Sequence, residues 1–302
     1  MSIPAFTTPE ALGAPALAPE IASSVRPTAA WRRLVTHRSA VVGLAVMAVY
    51  AVAAIFGPMV FPFNPGQSHL IDVFLPPGQQ GHLLGTDNLG RDEILMLVYG
   101  SRYTLGLGLM AVALGLVVGV PLGAISGYFG GWVDIVIQRL TDILLAFPPI
   151  VLALGLIAGL GVGLGNVVIA VGLSSVPSFI RLVRADSLRL REMPFVEAAV
   201  ALGVSPWLVL VRHVIPNALA PVIVQATLSM GFAILLAASL GFFGLGVQFP
   251  TPEWGQMLGE ARNYIFSDAN LATIPGLAIF AAVLAFNLVG DGLRDALDPR
   301  LS

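Results

Sequence analysis

The chain has 302 residues, of which 57% are hydrophobic and only 11% are charged, and its net charge is -2 at pH 7. Soluble domains carry about 25% charged residues, so this composition indicates an integral membrane protein and gives no sign of nucleic-acid binding. All 15 basic residues are arginine and cysteine is absent, which excludes a P-loop lysine, disulfides and thiolate metal sites.

The first predicted element is a tail, residues 1–30, whose proline, alanine and threonine cannot bury enough apolar surface to fold. Residues 31–302 form a predicted membrane domain with six continuous apolar runs of the length that a spanning helix needs, about 20 residues. Continuous runs favour helices over a β-barrel, whose strands alternate every second residue. The predicted spans are 40–61, 103–127, 143–160, 167–183, 218–246 and 274–289. The predicted fold class is therefore all-α and integral to the membrane, with six transmembrane helices.

The placement of arginine predicts the orientation of these spans, because cytoplasmic loops carry an excess of basic residues. Most arginines lie before the first span, after the sixth, or around residues 181–212. The loops 62–102 and 247–273 hold only Arg91, Arg102 and Arg262. We therefore predict that both termini and the 184–217 loop are cytoplasmic, and that residues 62–102 and 247–273 face outward.

Each outward loop contains a predicted helix. In the first loop, Asp87 is placed to cap a helix over residues 87–99. In the second loop, Thr251 is the predicted cap and Pro252 the first helical residue. Trp254 begins an apolar stripe there, which predicts an interfacial helix with a tryptophan anchor.

The stretch 194–216, PFVEAAVALGVSPWLVLVRHVIP, is apolar but does not read as a span. Pro194, Pro206 and Pro216 divide it into pieces of about ten residues, each about 15 Å long as a helix. Gly203 is placed to close a first helix, and Ser205 to cap a second. Either the first helix docks a partner, because its alanines allow close approach, or the pair merely connects two spans.

A few features inside the spans are open to two interpretations. Glycines recur every fourth residue from Gly115 to Gly127, which predicts a closely packed helix seam that either is static or slides. Arg139 and Asp142 are predicted to pair with each other. Gln225 and Asn287 either line a pathway or hydrogen-bond to neighbouring helices. The four histidines are isolated in sequence and no nucleophile–base set is visible, so neither a metal site nor catalytic residues are predicted.

The sequence resembles the C-type subunits of dipeptide and oligopeptide permeases, a family of ABC importer permeases, from about Trp31 onward. Glu197-Ala198-Ala199 followed by Gly203, and His213-Val214-Ile215-Pro216-Asn217, resemble the EAA loop of that family. Further matching motifs, in chain order, are Gly85-Thr86-Asp87, Gly90-Arg91-Asp92, Gly100-Ser101-Arg102, Ala146-Phe147-Pro148, residues 239–246, Pro252-Glu253-Trp254-Gly255 and residues 290–299.

The resemblance implies the type I importer (MetI-like) fold in the inner membrane of a bacterium. It implies three kinds of partner besides the lipid bilayer: a homologous B-type permease, two ABC ATPase subunits, and an extracytoplasmic substrate-binding protein. ATP and magnesium would be bound by the ATPase subunits, and this chain would hold no cofactor. The residues implied in ATPase coupling are Glu197, Ala198, Ala199, Gly203, Ser205 and Pro206; those implied in binding-protein contact are Asp87, Arg91 and Asp92.

The predicted function is thus to form half of a peptide translocation pathway and to couple it to ATP hydrolysis on other chains. Glutathione and nickel are compatible substrates of the same architecture. An ion-gradient-driven transporter is the rival from another class, but no span carries a midplane acid and no inverted repeat is evident. A membrane-bound hydrolase is disfavoured because no catalytic set is visible.

Overall fold

The computed structural model describes residues 33–297, so the predicted tail 1–30 and the last five residues lie outside the described part. We number the helices of this part in chain order. They are α1 Arg38–Val60, α2 Glu93–Phe129, α3 Gly131–Leu145, α4 Pro149–Leu160, α5 Leu164–Leu190, α6 Pro194–Ala201, α7 Pro206–Val209, α8 Ile215–Asn217, α9 Leu219–Phe242, α10 Trp254–Ala261 and α11 Asn270–Leu297. A π-helical turn, Leu210–Val214, joins α7 to α8.

Five of these helices, α1, α2, α5, α9 and α11, are long and apolar enough to cross a membrane. The pair α3 and α4 is the sixth span if it is counted as one, but it is bent by 90°. The predicted all-α fold is confirmed, whereas the continuous third span 143–160 is wrong. Pro148 and Pro149 explain the break, because a residue before proline is disfavoured in the helical region. With 12 residues, α4 is about 18 Å long, which is too short to span a bilayer alone.

Three of the spanning helices, α2, α5 and α11, extend further than hydropathy predicts, whereas α9 ends four residues earlier, at Phe242. At one end α2 begins at Glu93 rather than 103, and at the other end α5 continues to Leu190. The residue that caps α2 is Asp92, whose carboxylate accepts a hydrogen bond from the Leu95 N–H at 3.0 Å. The prediction that Asp87 caps this helix is therefore wrong; Asp87 binds an arginine instead.

The glycine seam packs α2 directly against α5. A Cβ atom added at Gly119 would lie 2.6 Å from the Phe179 Cβ, and one at Gly123 would lie 2.6 Å from the Ile180 carbonyl oxygen. Such contacts are closer than atoms can approach, so these positions require glycine. Close backbone approach of this kind drives helix association where lipid surrounds the protein.

Substitution along this seam is expected to separate the two helices. We expect Gly123→Leu to destabilise the protein by about 1–3 kcal/mol or more, because the obstructing atom belongs to the backbone and cannot rotate away. Gly106→Leu is the matched control on the same helix, because its added Cβ meets nothing within 4 Å. Thermal unfolding of both variants in the same detergent checks this, and equal midpoints would contradict the seam.

The described residues form three apolar clusters, the smallest of which is Leu34, Ala40 and Ala296 between the first and last spans; the other two make up most of the interior. The larger one includes Leu107, Phe179, Ile234 and Trp254 and lies among α2, α5, α9 and α10. The smaller one, which we call the loop cluster, joins α2 and α5 to residues 191–218. Its buried members are Ala124, Val183, Leu190, Val196, Ala199, Val209, Leu210, Val214, Ala218 and Val222. The loop cluster lies at the end of the bundle that carries the 191–218 loop. The opposite end carries the long loops, 61–92 and 243–269.

Candidate functional site

Helix α6 has a defined start and end. Pro194 is its first residue, and Gly203 follows it with φ of 80°, a left-handed conformation that favours glycine. The Gly203 N–H donates to the Val200 carbonyl at 2.9 Å, and the Val204 N–H donates to the Ala199 carbonyl at 3.1 Å. These paired bonds form a Schellman motif, which satisfies the last carbonyls of the helix. The predicted role of Gly203 in closing α6 is confirmed.

The two faces of α6 have different surroundings. Val196 and Ala199 are buried in the loop cluster and fix the helix to α2 and α5. Glu197 and Ala198 are exposed on the other face, and Leu202, just past the helix end, is 84% exposed. Of the predicted docking residues on this helix, Ala199 is therefore turned toward the protein and the other two toward the surroundings.

The second short helix begins as predicted but does not end as predicted. Ser205 occupies the cap position of α7 without a capping hydrogen bond from its side chain, and Pro206 is the first residue of α7. The chain then widens into the π-helical turn, in which the Ile215 N–H donates to the Leu210 carbonyl. The predicted end before Pro216 is wrong, because the helical path continues through α8 toward α9.

Pro216 explains the π-helical turn. Proline has no N–H, and in an α-helix its ring would clash with the carbonyl four residues earlier, here that of Arg212. A wider turn removes this clash. The Asn217 side chain donates to the His213 carbonyl at 2.6 Å, so one carbonyl of this turn is satisfied by a side chain.

The exposed side of the 191–218 loop is apolar. Leu202, Trp207 and Val211 are all more than half exposed. The Trp207 ring also contacts Phe129 at the end of α2, with ring centroids 4.8 Å apart. An exposed apolar patch of this kind is typical of a surface that contacts another protein or the membrane.

At the other end of the bundle, Arg91 joins the two long loops. It is 1% exposed, and its guanidinium donates to the carboxylate of Asp87 and, at 2.9 Å, to that of Glu260. It also donates to the Pro65 carbonyl at 3.3 Å and lies over the Phe249 ring, 5.5 Å from its centroid. Residues from both long loops therefore converge on one arginine.

The other two residues predicted to contact a binding protein also have internal partners. Asp87 is 6% exposed and accepts from the Arg91 N–H at 2.9 Å. Asp92, besides capping α2, is 2.7 Å from the Nδ1 of His82. Contact with a binding protein stays a prediction, and the burial of Asp87 and Arg91 leaves almost none of their surface for it.

Helix α10 departs from its prediction. Its cap is Glu253 rather than Thr251, and the Glu253 carboxylate accepts from the Gln256 N–H at 2.9 Å and from the Thr104 hydroxyl at 3.1 Å. Burial raises the pKa of Glu253, although these hydrogen bonds act in the opposite direction. Trp254 is a core residue whose indole N–H donates to the Leu97 carbonyl at 3.1 Å, so the predicted membrane anchor is wrong.

The polar residues predicted within the spans lie on two different helices, α9 and α11. Gln225 donates to the Ser229 hydroxyl at 3.3 Å within its own helix, and it lines a cavity of about 490 Å³ together with Arg294. Asn287 is exposed on α11. The predicted Arg139–Asp142 pair is wrong, because Asp142 bonds to Arg181 of α5 at 2.9 Å.

Spans α9 and α11 share a surface that no other part of the described chain covers. The large exposed side chains on this surface are Phe232, Leu235, Leu277, Phe280 and Leu284. Near the long-loop end they border an apolar groove of about 680 Å³, which Ile150 at the start of α4 also lines. The bent span and these two helices therefore meet along one open face.

Comparisons with known proteins agree with this architecture. Residues 119–302 match the family described as binding-protein-dependent transport system inner membrane component. Residues 28–77 match the N-terminal TM domain of oligopeptide transport permease C. Among solved structures, the inward-facing MetNI methionine ABC transporter aligns with a TM-score of 0.55 and 22% identity over 67% of this chain and 96% of that chain, a likeness of fold.

Curated relatives match over nearly the whole length. The dipeptide transport system permease protein of Alkalihalophilus pseudofirmus is 44% identical over 90% of this chain and 89% of its own. The glutathione transport system permease protein of Pectobacterium atrosepticum is 42% identical over 90% of each. The di/tripeptide transport system permease protein of Pseudomonas aeruginosa is 44% identical over 90% of this chain and 91% of its own. The chain therefore belongs to the binding-protein-dependent transport system inner membrane components, the multi-pass permease subunits of ABC transporters.

Proposed function

We propose that this chain forms half of the translocation pathway of an ATP-driven importer of short peptides and couples that pathway to separate ATPase subunits. The observation that carries the proposal is the exposed but firmly anchored pair of short helices, α6 and α7. In this arrangement the 191–218 loop and both termini are cytoplasmic, and the long loops face outward. The chain is a non-catalytic transport subunit, and ATP with its magnesium ion is bound by the ATPase subunits.

The ATPase docks on the exposed side of α6 and α7. Ala198 and Gly203 give that side a small profile that permits close approach, with the exposed Glu197 carboxylate beside them and Ser205 and Pro206 at the start of α7. Leu202 and Trp207 supply large apolar contacts of the kind that dominate binding energy. Because Val196 and Ala199 fix α6 to α2 and α5, a displacement of the docked subunit moves these spans as well.

A homologous B-type permease covers the open face of α9 and α11. That face is too apolar for water, and the groove that the bent span shares with it is left open by the described chain. The pathway then lies between the two permeases, with Gln225 and Asn287 as its polar lining. Gln225 borders the cavity that also holds Arg294, at the end of the bundle where a substrate would leave.

The extracytoplasmic binding protein docks on the long loops. Since Asp87 and Arg91 are buried, we assign them, together with Asp92, the role of holding these loops in shape. The contact surface then consists of exposed apolar side chains such as Ile71 and Phe266. These two side chains come from different long loops, which Phe74 and Tyr264 join by a ring contact of 5.1 Å.

Short peptides are the substrate class that the named relatives support. Dipeptide, di/tripeptide and glutathione occur in their names, and glutathione is itself a small peptide-like molecule. Glutathione is therefore the second candidate, favoured by a relative at 42% identity. Binding measurements on the binding protein that docks to this chain, with dipeptides and glutathione compared, decide between the two.

The docking proposal is tested by co-purification from native membranes through a tag on this chain. We expect Leu202→Asp to reduce the recovered ATPase at least about tenfold, since a buried unpaired charge costs several kcal/mol. Leu83→Asp is the matched control, because Leu83 is an equally apolar, 72% exposed residue at the opposite end. Full ATPase recovery with Leu202→Asp, or absence of any ATPase with the unaltered chain, would contradict the proposal.

A further inference from the structure

Helix α3 contacts the rest of the chain mainly through polar side chains, and most of its apolar side chains are exposed. Only Thr141 of its 15 residues is buried. Its large apolar side chains point away from the chain; Trp132 is 76% exposed, and Leu140 and Ile143 are also more than half exposed. Since the inward face offers few apolar contacts, the position of α3 relative to α2 and α5 depends on polar contacts.

The main polar contact is the ion pair between Asp134 of α3 and Arg184 of α5. The Arg184 Nε and one terminal nitrogen donate to the two carboxylate oxygens of Asp134, each at 2.6 Å. The buried Ser126 hydroxyl of α2 also donates to Asp134, and the Gln138 side chain donates to Ser126 at 3.0 Å. Two-pronged bonds of this kind are strong and fix orientation. One carboxylate thus connects three helices.

A second ion pair joins the same two helices but has a weaker geometry. Asp142 and Arg181 make a single contact at 2.9 Å, and their side chains are 52% and 56% exposed. The Asp134 and Arg184 side chains are only 17% and 32% exposed. Exposed pairs contribute little because water and salt screen them. The second pair therefore serves as an internal control for the first.

The location of the first pair is the reason to assign it a role in transmission. Arg184 lies on the last turns of α5, which lead directly into α6 of the 191–218 loop. A Cβ added at Gly127 of α2 would lie 2.5 Å from the Arg184 carbonyl oxygen, so α2 and α5 are in contact at this level. The far end of α3 leads through the 90° bend to α4, where Ile150 lines the groove beside α9 and α11.

We propose that the Asp134–Arg184 ion pair is the link through which movement of the 191–218 loop reaches the bent third span. The inference rests on the proposed function, since it presupposes an ATPase that moves this loop. The loop cluster makes α6 follow α5, and the ion pair makes α3 follow α5. Without the pair, α3 keeps only its connection to α2 and the exposed Asp142–Arg181 contact, so it follows α5 less closely. Asp134 and Arg184 are thus positioning residues that touch neither ATP nor substrate.

The test uses the complete transporter, purified through a tag on this chain and reconstituted in vesicles, with uptake and ATP hydrolysis measured in the same preparation. The variants are Arg184→Gln, Asp134→Asn, and the charge swap that combines Asp134→Arg with Arg184→Asp. We expect each single variant to lower uptake per ATP hydrolysed by about tenfold, within the 5–150-fold range typical of coupled sites. The swap is expected to restore most of this ratio. Arg181→Gln and Asp142→Asn are expected to leave it within about twofold, as exposed pairs do.

The ratio of uptake to ATP hydrolysis distinguishes a loss of transmission from a loss of stability and from a failure of the proposed function. A merely structural role would lower uptake and hydrolysis together with the amount of assembled transporter, leaving their ratio unchanged, and that result would overturn the link. A swap variant that stays uncoupled would overturn it too. If a single variant fails to assemble, Arg184→Lys takes its place, because lysine keeps the charge without the two-pronged geometry. The proposed link then requires that Arg184→Lys lowers the ratio. Failure of the proposed function looks different, because the unaltered complex would then show no ATP-dependent uptake.

Discussion

Replacing Gly203 with valine is expected to uncouple ATP hydrolysis from uptake while membrane insertion remains normal. Gly203 has φ of 80°, and a Cβ added there would meet nothing within 4 Å. The cost of substitution is therefore conformational, about 1–2 kcal/mol for a residue in the left-handed region, and higher for a β-branched side chain. Losing the bonds donated by the Gly203 and Val204 amides would shift Leu202 and the end of α6 away from the docking position. A free energy of this size changes a population about 5–30-fold.

The matched control at this position is Gly203→Asn, since asparagine adopts the left-handed conformation more readily than other residues. We expect Gly203→Asn to retain most of the uptake per ATP hydrolysed, and Gly203→Val to lose most of it. Uptake by reconstituted vesicles, divided by phosphate released, measures this ratio. Equal losses in both variants would indicate that any side chain at position 203 obstructs docking, whatever backbone conformation it prefers. Normal uptake in both would contradict the coupling role of α6.

The helical fold and the two short helices could be predicted because local physics determines them. Apolar runs locate the spans, and Pro194 with Gly203 delimits α6 regardless of what surrounds it. Pro216 also indicated that a regular helix could not continue through residues 212–216, but the π-helical turn at Leu210–Val214 was not predicted. What the pattern did not decide is whether a proline ends a helix or only widens it, because that depends on whether neighbouring segments hold the two pieces in line.

The errors arose where contacts between distant parts of the chain decide the outcome. Asp87 has the right spacing to cap a helix, but its carboxylate binds Arg91, which in turn binds Glu260, 169 residues away. Trp254 begins an amphipathic stripe that suits a membrane surface. In the fold it packs beside Gly100, where an added Cβ would lie 2.7 Å from the indole, so this glycine makes room for the ring. Spacing along the sequence contains neither fact.

The largest loss of stability is expected for Arg91→Met. This substitution removes the cation that the carboxylates of Asp87 and Glu260 share. Breaking a buried ion pair costs about 3–5 kcal/mol. We expect a lower thermal unfolding midpoint in detergent, faster proteolysis of the long loops, and loss of binding-protein-dependent uptake. ATPase co-purification through the 191–218 loop is expected to persist in the fraction of protein that folds. That loop is held by the loop cluster, at the opposite end of the bundle from Arg91.

Two companion variants distinguish a brace from a direct contact with the binding protein. Adding Asp87→Asn to Arg91→Met removes the most deeply buried unpaired charge, so a brace predicts partial recovery of the unfolding midpoint. Arg91→Lys keeps the charge, but a single ammonium group cannot reach Asp87, Pro65 and Glu260 at once. Its unfolding midpoint is therefore expected to fall by more than half as much as that of Arg91→Met. If Arg91→Met instead left the midpoint unchanged and weakened only binding-protein association, the arginine would be contacting the partner itself. Its burial at 1% exposure argues for the brace, because a guanidinium enclosed by both long loops offers almost no surface to a docked protein.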